Sequence, residues 1–156
     1  MEVVAHRGAS DDVAEHTLAA YVRAVEDGAD ALECDVRLTA DGHLVCVHDR
    51  RVDRTSDGRG PVSTLELADL AELDFASWHP GVGDDAPDVV TVGRQGAVLT
   101  LEHLLELATD PARPVPLAIE TKHPTRYAGL VERRLVELLD RFGLAGRPAD
   151  DEFPPV

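Results

Sequence analysis

Two carboxylates and a histidine stand within the segment DALECDVRLTADGHLVCVHD, residues 30–49. Glu33 and Asp35 are two positions apart in a run of strand-forming residues. Alternate residues of a strand face the same side, so these carboxylates project together and Cys34 projects the other way. Like charges on one face repel, and at a partly buried site water compensates poorly. A cation is the natural remedy, and carboxylate oxygen suits a hard divalent ion such as Mg²⁺ or Ca²⁺. The plainer interpretation is a turn bearing solvated acids. A second apolar run, with Val45 and Val47, delivers His48 and Asp49 at its end.

The elements that must position these groups follow from periodicity and punctuation. Residues 1–5 are short and apolar, end in His6-Arg7-Gly8, and read as a buried strand. Leu18, Tyr21, Val22 and Val25 recur at helix spacing, with Thr17 as N-cap and Gly28 as stop. Strands are expected over residues 31–38 and 44–48, with Asp41-Gly42 as a turn. About nine residues separate Asp35 from Val45, whereas a parallel crossover with its helix needs a dozen or more. The link between the second and third strands is therefore expected to be irregular and helix-free. Ser63 reads as the cap of a short helix, with Glu66 completing a capping box. Residues 74–97 lack periodicity and read as an excursion, such as a lid. Thr100 caps a further helix. Residues 115–120 form a fourth strand that ends in Glu120-Thr121-Lys122, and a long helix over 127–142 is stopped by Gly143. The domain is expected to occupy residues 1–143, with 144–156 a disordered acidic, proline-rich tail.

Bulk properties bound the function. The chain has 156 residues, an apolar fraction of 44% and a formal net charge of −15. That size suits one domain with a real core. The charge argues against a broad surface for nucleic acid or anionic membrane. No run of about 18 apolar residues occurs, so no membrane span is expected. The opening MEVVAHRG lacks a basic stretch followed by an apolar one, so no export signal is expected and a cytoplasmic location is. Cys34 and Cys46 then read as small core residues rather than a disulfide.

Alternating strands and helices with apolar strands imply an α/β fold with a parallel sheet. His6, Glu33, Asp35, His48 and Glu120 all fall at the ends of expected strands, the rim where α/β barrels carry active sites. His43, His79, His103 and His123 read as surface or loop residues.

Ala5-His6-Arg7-Gly8, Glu15-His16-Thr17, Gly28-Ala29-Asp30, Leu32-Glu33-Cys34-Asp35-Val36, Thr39-Ala40-Asp41-Gly42, Val47-His48-Asp49, Arg54-Thr55 and Glu120-Thr121-Lys122 occur in that order. In identity and spacing this series resembles the glycerophosphodiester phosphodiesterase family. The resemblance implies a (β/α)₈ barrel of the TIM type. It also implies metal-dependent hydrolysis of glycerophosphodiesters, in lipid metabolism, to an alcohol and glycerol 3-phosphate. By the same resemblance His6 and His48 are the catalytic pair, Glu33, Asp35 and Glu120 the metal ligands, Arg7 and Lys122 the phosphate contacts, and Glu15 a supporting residue. Histidine suits both general acid and general base near neutral pH.

Two departures stand out. His16 occupies a position where the family commonly has Asn. Family domains run to about 240 residues, as such barrels usually do, so this chain is expected to carry about the first half, roughly four strands. Two alternatives follow: a catalytically impaired fragment or half-barrel that needs a partner, and a related phospholipase D-like phosphodiesterase. With strands apolar on both faces, the open half-barrel is expected to form homo-oligomers or to be poorly soluble.

Overall fold

A computed structural model describes residues 1–80, 96–122 and 129–145. Its centre is strand β2 (Ala31–Leu38), where eight residues run extended as the alternation requires. Strand β1 (Val4–His6) pairs with β2 in parallel, from Val4 beside Ala31 to His6 beside Glu33. Strand β3 (Leu44–Cys46) pairs with it antiparallel, from Leu38 beside Leu44 to Val36 beside Cys46. Strand β4 (Leu117–Thr121) pairs in parallel, from Leu32 beside Leu117 to Val36 beside Thr121. β4 overlaps the registers of both β1 and β3, so those two share the opposite edge of β2, one beyond the other.

The helix-free link between the second and third strands is found, as a hairpin. Thr39 N–H bonds His43 O at 2.9 Å, the Thr39 hydroxyl reaches Asp41, and Gly42 supplies a φ of +89°. The expected four parallel strands are corrected to three, because a link this short reverses the chain rather than crossing it over. The ends of strands are corrected as well. Glu33 and Asp35 lie within β2, and β3 stops at Cys46, two residues before His48. The parallel rim crosses β2 at the level of these carboxylates, and its last turn projects beyond to meet β3.

Three helices cover the outer face of the sheet. Helix α1 (Leu18–Glu26) starts where the Thr17 side chain accepts from Ala20 N–H, and its chain turns away at Gly28 with φ +91°. Helix α3 (Leu101–Ala108) is capped by Thr100 in the same way. Helix α4 (Leu130–Arg141) follows Gly129 and ends before Gly143, at φ +69°. The expected helical residues 127 and 128 lie outside the described residues. Leu32, Cys34, Val36 and Leu38 of β2 pack with Tyr21 and Ala24 of α1, Leu101, Leu104 and Leu105 of α3, and Val131 and Leu138 of α4. Each fully buried leucine here stabilises by about 1.5–3 kcal/mol over an exposed one. A smaller cluster, Val45, Val47, Val52, Val62, Leu70 and Phe75, sits beside the hairpin.

Three further expectations are corrected. Ser63 lies in a 3₁₀ turn (Val62–Thr64), and helix α2 (Leu67–Ala71) is capped by Glu66, whose box partner is Asp69. β1 is an exposed edge strand rather than a buried one, with Val3 and Val4 at 55% and 50% exposure, because β2 covers it on one side only. The inner face of the sheet is largely polar rather than apolar: register places His6, Glu33, Asp35, Arg37 and Glu120 on it, with Val4, Ala31, Val45 and Ala118 as apolar neighbours. Leu144 packs on the core, and residues 146–156 of the expected tail lie outside the described residues, as do 81–95 of the expected excursion.

Candidate active site

The inner face gathers its charges by register. His6 is beside Glu33 on the neighbouring strand, and Asp35 is beside Glu120. His6 is largely exposed, with its Nε2 at 3.9 Å from Glu33 Oε2. Beyond β1 the chain turns sharply, with Arg7 at φ +62° and Gly8 at φ +80°. A side chain at φ > 0 is strained, and hydrogen bonds hold it here: Arg7 N–H reaches Glu33 O at 3.2 Å and Glu33 Oε2 at 3.1 Å. Gly8 has no alternative, since a Cβ there would meet Ala20 of α1 at 2.7 Å.

This turn aims the Arg7 guanidinium at the carboxylates. Its Nε lies 3.0 Å from Asp35 Oδ2 and its Nη1 lies 3.3 Å from Glu15 Oε1. Lys122 follows β4, with its N–H on Val36 O at 3.1 Å and its Nζ 2.9 Å from Asp35 Oδ1. The same ammonium contacts Glu120. His16 Nε2 lies 3.0 Å from Asp35 Oδ2. Asp35 is thus a fully buried carboxylate ringed by Arg7, His16 and Lys122. Burial pushes its pKa up, but the His16 and Lys122 contacts outweigh it and hold the carboxyl well below the usual range.

His48 is placed by backbone and by neighbours. Val47 N–H bonds Asp35 O at 3.1 Å, which carries the hairpin back to the level of the carboxylates. Arg37 Nε and Nη2 grip His48 O at 2.9 and 2.7 Å. The His48 Nδ1 lies 2.7 Å from Asp49 Oδ1, and Arg54 Nε donates to Asp49 Oδ2 at 2.8 Å. Arg54 then forks onto Glu15 at 2.8 and 2.9 Å, and Glu15 meets Arg7. The Arg54 hydrogen bond, opposed by burial and helped by His48, holds Asp49 at about 2. Burial raises Glu15, and Arg54 more than reverses it. Trp78 lies under the Arg54 guanidinium at 5.9 Å.

Oxygens of Glu33, Asp35 and Glu120 lie within 4.8 Å of one another. Asp35 Oδ1 is buried with charge beside it but no aligned hydrogen bond. Glu33 is half-buried and Glu120 exposed, so the cluster opens toward solvent. This donor set fits a hard divalent cation that completes its coordination with water or phosphate oxygen.

The expected site residues therefore meet: His6, Arg7, Glu15, Glu33, Asp35, Glu120 and Lys122 form one cluster, and His48 joins through Asp49, Arg54 and Glu15. Arg7 and Lys122, expected as phosphate contacts, both lie on Asp35. Sequence reasoning gave no role to Asp49, Arg54, Arg37, Tyr21 or Trp78. Asp49 and Arg54 stood in the matched motifs, which was the available signal.

Residues 6–146 match the model of the glycerophosphoryl diester phosphodiesterase family. The chain belongs to that family. It is 55% identical to a probable glycerophosphodiester phosphodiesterase 1 of Mycobacterium tuberculosis, over 99% of this chain and 54% of that protein. It is 39% identical to a glycerophosphodiester phosphodiesterase of Bacillus subtilis, over 92% of this chain and 47% of that one. Among solved structures, a phosphodiesterase of Oleispira antarctica in complex with the product sn-glycerol-3-phosphate superposes with a TM-score of 0.77. Its identity is 31%, over 96% of this chain and 54% of that one. The glycerophosphodiester phosphodiesterase of Agrobacterium tumefaciens gives 0.73 at 29% identity, over 92% and 54%. The chain spans about half the length of these family members. Its fold is the partial TIM-type barrel expected, α/β with a mainly parallel sheet that does not close among the described residues. Among the described residues no helix is long and apolar enough to cross a membrane.

Proposed function

We propose that this chain carries the chemical half of a metal-dependent phosphodiesterase that hydrolyses glycerophosphodiesters to an alcohol and glycerol 3-phosphate. The observation that carries the reading is the meeting of His6 with the Glu33–Asp35–Glu120 cluster, beside a His48 steadied by Asp49. With its Nδ1 on the Asp49 carboxylate, His48 is left with Nε2 to exchange a proton with substrate. His6, exposed at the rim, is the second proton-transfer group. One histidine takes the proton of the attacking oxygen and the other protonates the departing alkoxide. Glu33, Asp35 and Glu120 would hold Mg²⁺ or Ca²⁺, which supplies Lewis-acid charge to the phosphoryl oxygens. Arg7 and Lys122 add fixed positive charge on the same side.

The test uses titration calorimetry with Mg²⁺ and Ca²⁺, and hydrolysis of a panel of glycerophosphodiesters. Glu33→Ala with Asp35→Ala is expected to abolish cation binding and turnover. His6→Ala and His48→Ala are each expected to lower turnover by at least ~10²-fold with little change in binding. Full cation affinity in the double variant removes the metal from this cluster, and near-normal turnover in either histidine variant removes that histidine from the chemistry. The open sheet supports a second reading, in which turnover requires the further strands of a closed barrel. Cation binding by the purified 156-residue chain without turnover would favour it.

A further inference from the structure

Behind Asp35 lies a buried polar array that the proposed chemistry does not use. His16 is 6% exposed and sits at φ +58°, a left-handed conformation few side chains adopt. Its Nε2 is 3.0 Å from Asp35 Oδ2 and its Nδ1 is 2.8 Å from the Tyr21 hydroxyl. Tyr21, wholly buried, gives its hydroxyl proton to the main-chain carbonyl of Glu33 at 3.0 Å. The two ring nitrogens of His16 thus span the gap between the Tyr21 hydroxyl and the Asp35 carboxylate.

The result is a continuous bridge of hydrogen bonds from the side chain of Asp35 to the backbone of Glu33, the two carboxylate residues adjacent on one strand face. Burying three polar groups in an apolar core is costly unless every one is satisfied, and an apolar filling of the same volume would hold the helix as well. The array is better suited to fixing geometry than to adding stability. Oδ2 of Asp35 takes the contact with His16 at 3.0 Å, and ion pairs without aligned hydrogen bonds flank it, Arg7 Nε on Oδ2 and Lys122 Nζ on Oδ1.

We infer that His16 and Tyr21 are positioning residues that lock the Asp35 carboxylate against the Glu33 backbone and so set the spacing of the cation ligands. This rests on the reading of Glu33, Asp35 and Glu120 as those ligands. Residues that orient ligating carboxylates typically cost about 10–100-fold in metal affinity when changed. Tyr21→Phe removes one hydroxyl and keeps the ring in the core. His16→Ala removes both ring nitrogens, and His16→Asn keeps one polar group and tolerates the left-handed backbone.

The experiment is calorimetric titration of the 156-residue chain with Mg²⁺ and Ca²⁺, with circular dichroism and thermal unfolding of each variant. Tyr21→Phe is expected to weaken cation binding by about 10-fold and His16→Ala by up to about 100-fold. His16→Asn is expected to restore much of the loss. Variants that unfold at lower temperature but bind the cation as tightly as the unchanged chain would show a structural role alone and overturn the inference. An unchanged chain that binds neither cation would instead bring down the reading of the ligands on which the inference rests.

Discussion

Asp49→Asn isolates the group that steadies His48. Asp49 accepts on both sides, from His48 Nδ1 at 2.7 Å and from Arg54 Nε at 2.8 Å. Asparagine has nearly the same shape but one acceptor and one donor group. With its oxygen on His48, its amide NH₂ faces the Arg54 guanidinium and that contact is lost. With its oxygen on Arg54, its NH₂ faces Nδ1, and the ring must move its proton to Nε2, the nitrogen the chemistry needs. A hydrogen bond to a charged group is worth about 1.5–3 kcal/mol. The two side chains are 35% and 31% exposed, so solvent screening sets the lower figure, about 1.5 kcal/mol. That corresponds to a fall in kcat of about 10-fold, with KM little changed. Steady-state hydrolysis reads the rate. Nitrogen-15 NMR of His48 reads the tautomer, which is the Nδ1–H form in the unchanged protein and a mixture in the variant. An unchanged tautomer together with an unchanged kcat would refute the role of Asp49.

Acid should destabilise the chain through the same carboxylates. Asp35 and Asp49 have folded pKa values below the ordinary 3.8, near 2 for Asp49 and lower for Asp35. The stability they contribute is complete above about pH 5 and is lost as pH falls through the folded values. The urea midpoint is therefore expected to drop between pH 5 and pH 2, and a flat profile would count against these ion pairs. Gly8→Ala is expected to cost about 2 kcal/mol or more in urea unfolding, since alanine is strained at φ +80° and its Cβ would strike Ala20; a change under ~0.5 kcal/mol would mean the turn relaxes. The edges of β1 and β4 away from β2 have no strand partner among the described residues, so sedimentation is expected to show concentration-dependent self-association through them. A monomer at all concentrations would rule that out.

Much of the architecture was legible because its signals are local. Thr17 and Thr100 cap α1 and α3 in the structure as their sequence contexts imply, and glycines at 28 and 143 take left-handed conformations just after α1 and α4. The span of β2 was readable from its composition, and strand alternation alone puts Glu33 and Asp35 on one face. The shortness of the link after β2 excluded a helix there. Ser63 shows the limit of such signals: it resembles a cap, but the backbone makes a 3₁₀ turn and Glu66 takes the role. The matched motifs supplied the histidines and the third carboxylate of the cluster, Glu120, which no local pattern links to residues more than eighty positions earlier.

By itself the sequence determined the residue types, which of them share a strand face, the threonine helix caps and the family. These depend on backbone geometry over a few residues or on order along the chain. Tertiary structure alone decided who touches whom. The antiparallel return of β3, the partial cover of β1 and the polar inner face follow from register between strands. So does the convergence of Arg7, His16 and Lys122 on one buried carboxylate. A buried charge takes whichever partners the packed chain brings within about 3 Å, and that selection is made between segments distant in sequence.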